Sequence, residues 1–290
     1  MELKGCYTAL VTPFRHGQID ETALSALVEE QIAAGVDGLV PVGTTGESPT
    51  LDFAEHSRVI KLVIAAARGR CCIIAGTGAN STAEAIELTR HAAKAGANAT
   101  LQVTPYYNKP TAEGLYRHFA TVADEGGLPV VLYNVPGRTG KEIDLKTVKR
   151  LAAHPNVVAI KEAGGSADRV SQILDCCKIT VLSGDDALTL PMMVLGAKGV
   201  ISVVSNLMPA EVRELVHLAL AGEWDKARQL HYRLYPLFRD AFVETNPIPI
   251  KAALAMVGKI AEEYRLPLCP MSDANREVLK AGMRAAGVTI

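Results

Sequence analysis

Two apolar runs of strand length end in residues that can do chemistry: Val157-Val158-Ala159-Ile160 in Lys161, and Val130-Val131-Leu132 in Tyr133. A lysine at the end of a buried strand is costly unless it is paired, exposed at a mouth, or neutral. One reading is a snorkelling or salt-bridged lysine with Glu162 beside it. The other is a desolvated amine that attacks a ketone to form a Schiff base. Alternation helps to weigh them. Lys161 shares a side with Ala159 and Val157, and Tyr133 with Val131. Both are therefore expected to point into a barrel while Val158, Ile160 and Leu132 face helices. A phenol beside the amine suits proton transfer to and from a carbinolamine.

Other polar groups follow the ends of strand-like runs. Gly43-Thr44-Thr45-Gly46-Glu47 brings backbone N–H groups and hydroxyls that suit a carboxylate. Arg138, after Val135-Pro136-Gly137, offers a guanidinium fork for a second one. Thr104-Pro105-Tyr106-Tyr107-Asn108 and Ser183-Gly184-Asp185-Asp186 complete the set. In isolation Tyr106-Tyr107 reads as a packed loop. Gly76-x-Gly78 resembles the start of a dinucleotide fingerprint, but Ser81 replaces the third glycine and the motif follows the third strand, not the first. Asp185-Asp186 has no further carboxylate or histidine at metal-binding spacing, so Asp186 is expected to cap a helix.

Eight strand-then-helix units position these residues in the first 220 or so positions. Strands are expected at 7–12, 38–42, 71–75, 99–103, 130–133, 157–163, 180–183 and 199–202. Helix starts are marked by Asp20, by Asp52-x-x-Glu55 and by Ser81-x-x-Glu84, the last two read as capping boxes. Gly35, Gly96 and Gly196 each end a helix and feed a strand. Such repetition predicts an α/β fold, a closed (β/α)8 TIM barrel over residues 1–222, with an open doubly wound sheet as the other architecture. Residues 223–290 read as a C-terminal helical appendage broken at Pro247, Pro249, Pro267 and Pro270. In a barrel, active sites lie at the C-terminal strand ends, where the polar groups above converge.

The bulk composition fits that picture. The chain has 290 residues, 49% hydrophobic and 21% charged, with net charge -1. This gives no reason to expect nucleic acid or an anionic membrane as partner. No apolar run approaches about 18 residues and no secretory leader is evident, so a cytoplasmic protein is expected. Cys6, Cys71-Cys72, Cys176-Cys177 and Cys269 lack disulfide or metal spacing and read as buried reduced thiols in strands and helices.

Jointly, Gly43-Thr44-Thr45-Gly46-Glu47-Ser48, Val103-Thr104-Pro105-Tyr106-Tyr107-Asn108, Tyr133 to Gly140, Ile160-Lys161-Glu162-Ala163 and Asn246-Pro247-Ile248-Pro249 strongly resemble the dihydrodipicolinate synthase family. The resemblance runs nearly end to end and includes the helical C-terminus. It implies a Schiff base between Lys161 and pyruvate, condensation with L-aspartate 4-semialdehyde, and a place at the first committed step of lysine and diaminopimelate biosynthesis. It gives Tyr133, Thr44 and Tyr107 to a proton relay, with Tyr107 reaching in from a neighbouring subunit. The active form would then be a homodimer or a tetramer built as a dimer of dimers. Thr45 and the backbone near Gly184 and Ile201 would hold pyruvate, and Arg138 the semialdehyde carboxylate. No metal or cofactor is implied.

Sister pyruvate-lysine aldolases, such as N-acetylneuraminate lyase and 2-keto-3-deoxygluconate aldolases, share the tyrosine and the lysine. Arg138 and the Tyr106-Tyr107 pair favour the synthase. A non-catalytic lysine-sensing barrel is disfavoured by the intact catalytic set. Lysine-inhibited members carry an allosteric site whose matching positions here are Ser48, His56, Asn80, Glu84 and Tyr106. Phe53 and Pro49 depart from the pattern, which bears on affinity for L-lysine. Taken alone, Glu84 reads as part of a capping box and His56 as an exposed helix residue.

Overall fold

The structure is a computed structural model describing residues 1–290. Eight parallel strands close into a barrel: β1 (Gly5–Ala9), β2 (Gly38–Val40), β3 (Cys72–Gly76), β4 (Ala99–Val103), β5 (Val130–Asn134), β6 (Val157–Glu162), β7 (Thr180–Ser183) and β8 (Gly199–Ser202). Each strand neighbours the next, and β1 pairs with both β2 and β8. Every edge is thereby satisfied, as the eight-unit reading expects.

Helices wrap the outside: α1 (Glu21–Ala33), α2 (Phe53–Ala67), α3 (Thr82–Ala95), α4 (Ala112–Glu125), α5 (Leu145–Ala152), α6 (Asp168–Cys176), α7 (Thr189–Val194) and α8 (Pro209–Leu220). Their starts follow local chemistry. Asp20, Thr111 and Asp144 accept the N–H three residues on. Asp52 and Glu55 form the full reciprocal box expected of them. Ser81 supplies only half of one: its hydroxyl accepts from Glu84 N at 3.5 Å, and no return bond ties the Glu84 carboxylate down.

Two apolar layers hold the barrel. A large one lies between strands and helices and includes Leu132, Ile160, Val170 and Leu215. A smaller one fills the interior, with Tyr7, Val40, Val131, Tyr133, Ala159, Leu182 and Ile201. The alternation expected on β6 fails at its first two residues. Val157 belongs to the outer layer and Val158 packs on the interior one. The cause is a bulge: Val130 pairs with Val157 and Val131 with Ala159, leaving Val158 as an extra residue. Downstream the phase is restored, so Ala159 and Lys161 face inward.

Three other expectations are corrected. The first strand ends at Ala9; beyond it Val11 N donates to Asn206 Oδ1 and Thr12 Oγ1 to the Gly46 carbonyl, drawing the chain across the barrel mouth. Asp186 does not cap α7. It is buried, accepting from Ser202 Oγ and from the N–H groups of Val203 and Val204, so it caps the 3-10 turn Val204–Asn206 instead. Asp185 takes the N–H groups of Ala187 and Leu188 ahead of α7. Of the six free thiols only Cys6 is fully buried, and Cys269 is exposed in an irregular segment.

The chain closes with α9 (Trp224–Asp240), α10 (Ile248–Met256) and α11 (Asp273–Ala286). α9 packs on α8 and α11. The segment entering α10 reaches the barrel mouth, where Lys251 forms a fully buried ion pair with Glu47. No helix is long and apolar enough to cross a membrane.

Candidate active site

Lys161 is the fifth residue of β6 and Tyr133 the fourth of β5, and the register pairs them directly. Both stand at the C-terminal mouth. Lys161 is 6% exposed, and its amine lies 4.3 Å from the centroid of the Tyr133 ring. The salt-bridged alternative does not hold. Glu162 points to the other side of the strand, where Asn134 Nδ2 donates to both its oxygens, and the cation that faces it is Arg169, with Nε 3.9 Å from Oε2, not Lys161.

Gly184 follows β7 and its N–H donates to the Glu162 carbonyl at 2.7 Å. A Cβ at Gly184 would stand 2.9 Å from Lys161 Cε, so this position must be glycine for the lysine to lie as it does. Ile201 is a buried residue of β8 inside the barrel. Thr45 is buried, and its hydroxyl accepts from Asn246 Nδ2 at 3.0 Å. Asn246 also receives Arg138: Nη2 donates to its carbonyl at 3.2 Å. Arg138 lies on a one-turn helix, Pro136–Thr139.

A cavity of about 410 Å³ opens at this mouth. It brings Thr44, Tyr133 and Arg138 together with Ser48, His56, Glu84 and Tyr106. Lys161, Thr45, Gly184 and Ile201 do not line it, and Lys161 adjoins it through the Tyr133 ring. Asn80 also lies off the wall; its amide donates to the Tyr106 carbonyl at 3.3 Å and its carbonyl accepts from Asn108 Nδ2. Tyr107 stands apart from all of these. It is 90% exposed, with φ +71°, so the packed-loop reading fails for Tyr107, whereas Tyr106 stands half-exposed on the cavity wall.

His56 is buried rather than exposed, because α2 turns it toward the end of β3. Nε2 donates to the Gly76 carbonyl at 2.9 Å, which leaves Nδ1 without a protein partner. Burial pushes its pKa from 6.5 down to about 4, against the pull of that hydrogen bond, so the ring is neutral at pH 7. Burial and then the Glu84 carboxylate hold the Tyr106 phenol above its usual range.

The glycines of the Gly76-x-Gly78 motif serve packing. A Cβ at Gly76 would lie 2.5 Å from the Val42 carbonyl, and one at Gly78 2.3 Å from Val103 N. Backbone, not phosphate, approaches them. No group of three or more His, Cys, Asp or Glu side chains is placed to hold a metal ion.

Sequence reasoning missed three features: the Asn246 bridge between Thr45 and Arg138, the Asn134–Glu162 pair, and the Glu47–Lys251 pair. For the second a signal existed. Asn134 and Glu162 are the polar residues of otherwise apolar strand ends, on the side that alternation turns toward the helices.

Known proteins share this sequence and this fold. The profile of the dihydrodipicolinate synthetase family matches residues 2–286. A 4-hydroxy-tetrahydrodipicolinate synthase of Geotalea daltonii is 56% identical over 283 residues, covering 97% of this chain and 98% of its own. A chloride-inhibited dihydrodipicolinate synthase from Acinetobacter baumannii, solved in complex with pyruvate, superposes with TM-score 0.96 at 46% identity, over 99% of both chains. The DHDPS from Cyanidioschyzon merolae, solved with lysine bound, gives TM-score 0.95 at 40% identity, also over 99% of both. By profile, by sequence and by fold, over nearly its whole length, the chain belongs to the dihydrodipicolinate synthetase family.

Proposed function

We propose that the protein is a 4-hydroxy-tetrahydrodipicolinate synthase, joining pyruvate to L-aspartate 4-semialdehyde through an imine on Lys161. The observation that carries this reading is the buried Lys161 amine, free of any ion pair, 4.3 Å from the Tyr133 ring at the barrel mouth. Its membership of the family and the pyruvate complex of the Acinetobacter relative support it.

The amine adds to the pyruvate ketone, and loss of water from the carbinolamine gives the imine. The protonated imine is itself an electron sink, so loss of a methyl proton yields an enamine without pyridoxal chemistry. The enamine carbon attacks the semialdehyde aldehyde, forming the carbon–carbon bond. The substrate's amino group then adds to the imine carbon, closes the ring and releases the lysine. Tyr133 carries protons in these steps, in a relay with Thr44 and with Tyr107 of a second copy of the chain. Thr45 and the backbone at Gly184 and Ile201 hold pyruvate. Arg138, exposed at the cavity, holds the semialdehyde carboxylate.

An isolated chain leaves Tyr107 in solvent, so the active form is a homodimer or a tetramer of paired dimers. Residues 1–222 form the catalytic barrel and 223–290 the helical region that braces its mouth. A cytoplasmic location fits metabolite substrates. L-Lysine binds at Ser48, His56, Asn80, Glu84 and Tyr106, with the untethered Glu84 carboxylate facing its ammonium groups. Retained turnover at saturating L-lysine would end that part of the reading.

The test is pyruvate consumption by the purified protein with aspartate semialdehyde, N-acetylmannosamine or glyceraldehyde. Consumption with the semialdehyde alone is expected. Preference for a sugar aldehyde would move the protein to a sister aldolase, and no consumption with any of them would favour a binding-only barrel.

A further inference from the structure

Asn134 follows Tyr133 on β5, and Glu162 follows Lys161 on β6, so each turns to the side of its strand opposite the chemistry. The register that pairs Tyr133 with Lys161 also pairs Asn134 with Glu162. Asn134 Nδ2 donates to the two Glu162 oxygens at 3.0 and 2.9 Å. Gly164 N donates to Glu162 Oε1 at 2.7 Å, and Ile143 N to Asn134 Oδ1 at 3.0 Å. Arg169 closes the far side. Its Nη2 donates to the Ile143 carbonyl, and its Nε stands 3.9 Å from Glu162 Oε2. Both Asn134 and Glu162 are fully buried. A buried carboxylate is costly even when matched, and Leu132 and Ile160 fill the same layer with apolar side chains.

We propose that Asn134 and Glu162 are positioning residues: their paired side chains clamp the ends of β5 and β6 so that the Tyr133 phenol keeps its place beside the Lys161 amine. The inference rests on the reading of Lys161 as imine former and Tyr133 as proton carrier. One peptide unit separates each clamp residue from the group it positions. A slip of one strand end by about 1 Å would misplace the phenol, at a cost on the order of 10²-fold in rate.

The donor and acceptor pattern allows a sharp test. Glu162→Gln makes the pair two amides. With Asn134 Oδ1 and the Gln oxygen held by the Ile143 and Gly164 N–H groups, their two NH2 groups face each other. Asn134→Asp sets two carboxylates together. Combining the two changes restores every match: the Asp accepts from Ile143 N and the Gln NH2, the Gln oxygen accepts from Gly164 N, and the net charge is unchanged.

The readouts are kcat and its pH profile, KM for pyruvate, borohydride trapping of the pyruvate imine, and thermal melting. Each single variant is expected to lose roughly 10²-fold in kcat with a displaced pH profile, and KM for pyruvate is expected to stay near wild type. The double variant is expected to regain about tenfold or more over either single, a coupling typical of contacting residues. If a single variant does not fold, Asn134→Ala, which removes the donor without adding charge, carries the same expectation. Variants that melt lower yet keep kcat and pH profile, or a double variant no better than the singles, would overturn the clamp alone. A wild-type enzyme with no pyruvate-dependent borohydride adduct on Lys161 would overturn the imine reading and this inference with it.

Discussion

The Lys161 amine meets the face of the Tyr133 ring, at 4.3 Å from its centroid, across the strand register that pairs the two residues. Ring and hydroxyl thus have separable parts. The ring face packs against the amine, and the same ring forms part of the cavity wall. When the amine is charged, such a contact is worth about 0.5–2 kcal/mol.

Tyr133→Phe keeps the wall and removes the proton carrier. Borohydride with pyruvate is expected still to trap an imine on Lys161, while kcat with both substrates falls by roughly 10²–10⁴. Full turnover in this variant would remove the phenol from the relay. Lys161→Ala is expected to lose both adduct and turnover.

Arg138 makes one hydrogen bond of its own, to the Asn246 carbonyl, and is otherwise free to meet a ligand. Arg138→Leu is expected to raise KM for aspartate semialdehyde by roughly tenfold to 150-fold, the worth of a charged hydrogen bond of about 1.5–3 kcal/mol. Pyruvate trapping should be unaffected. Equal losses for both substrates would assign the guanidinium to shaping the site rather than to selecting the aldehyde.

The barrel was legible in the chain because its signals are local. Asp20, Asp52 and Asp144 cap helices where they stand, and the strands are apolar runs of the right length. Lys161 and Tyr133 were legible by alternation, and even so the Val157–Val158 bulge shifted the phase by one residue. What stayed hidden depends on partners far along the chain. Asp186 looks like a helix cap until Ser202 and the turn after β8 claim it. His56 looks exposed until α2 docks on β3 and buries it against Gly76. Glu47 and Lys251, far apart in sequence, carry no local trace of one another.

Tyr107 offers a test of sharing between subunits. Its side chain is 90% exposed and away from its own chain's cavity. The inactive Lys161→Ala variant and a weakly active Tyr107→Phe variant should recover turnover when mixed and allowed to exchange subunits. In the hybrid, an intact Lys161 faces an intact Tyr107 from its partner. Mixtures no better than the sum of the two variants would place Tyr107 outside the neighbour's site.

Acid should destabilise the protein through two histidines. Burial pushes His56 and His118 from 6.5 down to about 4 in the folded chain. As pH falls below 6.5 the unfolded chain takes up protons first, so stability present above 6.5 is lost progressively toward 4. At pH 5 each histidine accounts for about 2 kcal/mol of that loss. Glu162 and Asp186, whose carboxyls burial raises, work in the opposite sense at the acid end. The histidine share is therefore read by difference. Urea unfolding at pH 7 and pH 5 should show a smaller drop for His118→Phe than for wild type. Equal drops would mean that the His118 ring takes up its proton in the fold.

The Glu47–Lys251 pair ties α10 to the loop that carries Thr44 and Thr45. Neither side chain has any exposure, and the second Glu47 oxygen accepts from Arg265 N at 3.2 Å. Lys251 also lies over the Phe14 ring, 4.4 Å from its centroid. Burial pushes the Lys251 amine down and the Glu47 carboxylate pulls it back up. Lys251→Met leaves a buried carboxylate facing apolar atoms and is expected to cost about 3–5 kcal/mol. Adding Glu47→Gln removes that stranded charge, keeps an acceptor for Arg265 N, and leaves Met against the Phe14 ring. The double variant is therefore expected to recover most of the lost stability in urea unfolding. A double variant as unstable as Lys251→Met alone would show that the loss comes from lysine packing, and the charge pair would then contribute nothing of its own to holding the loop.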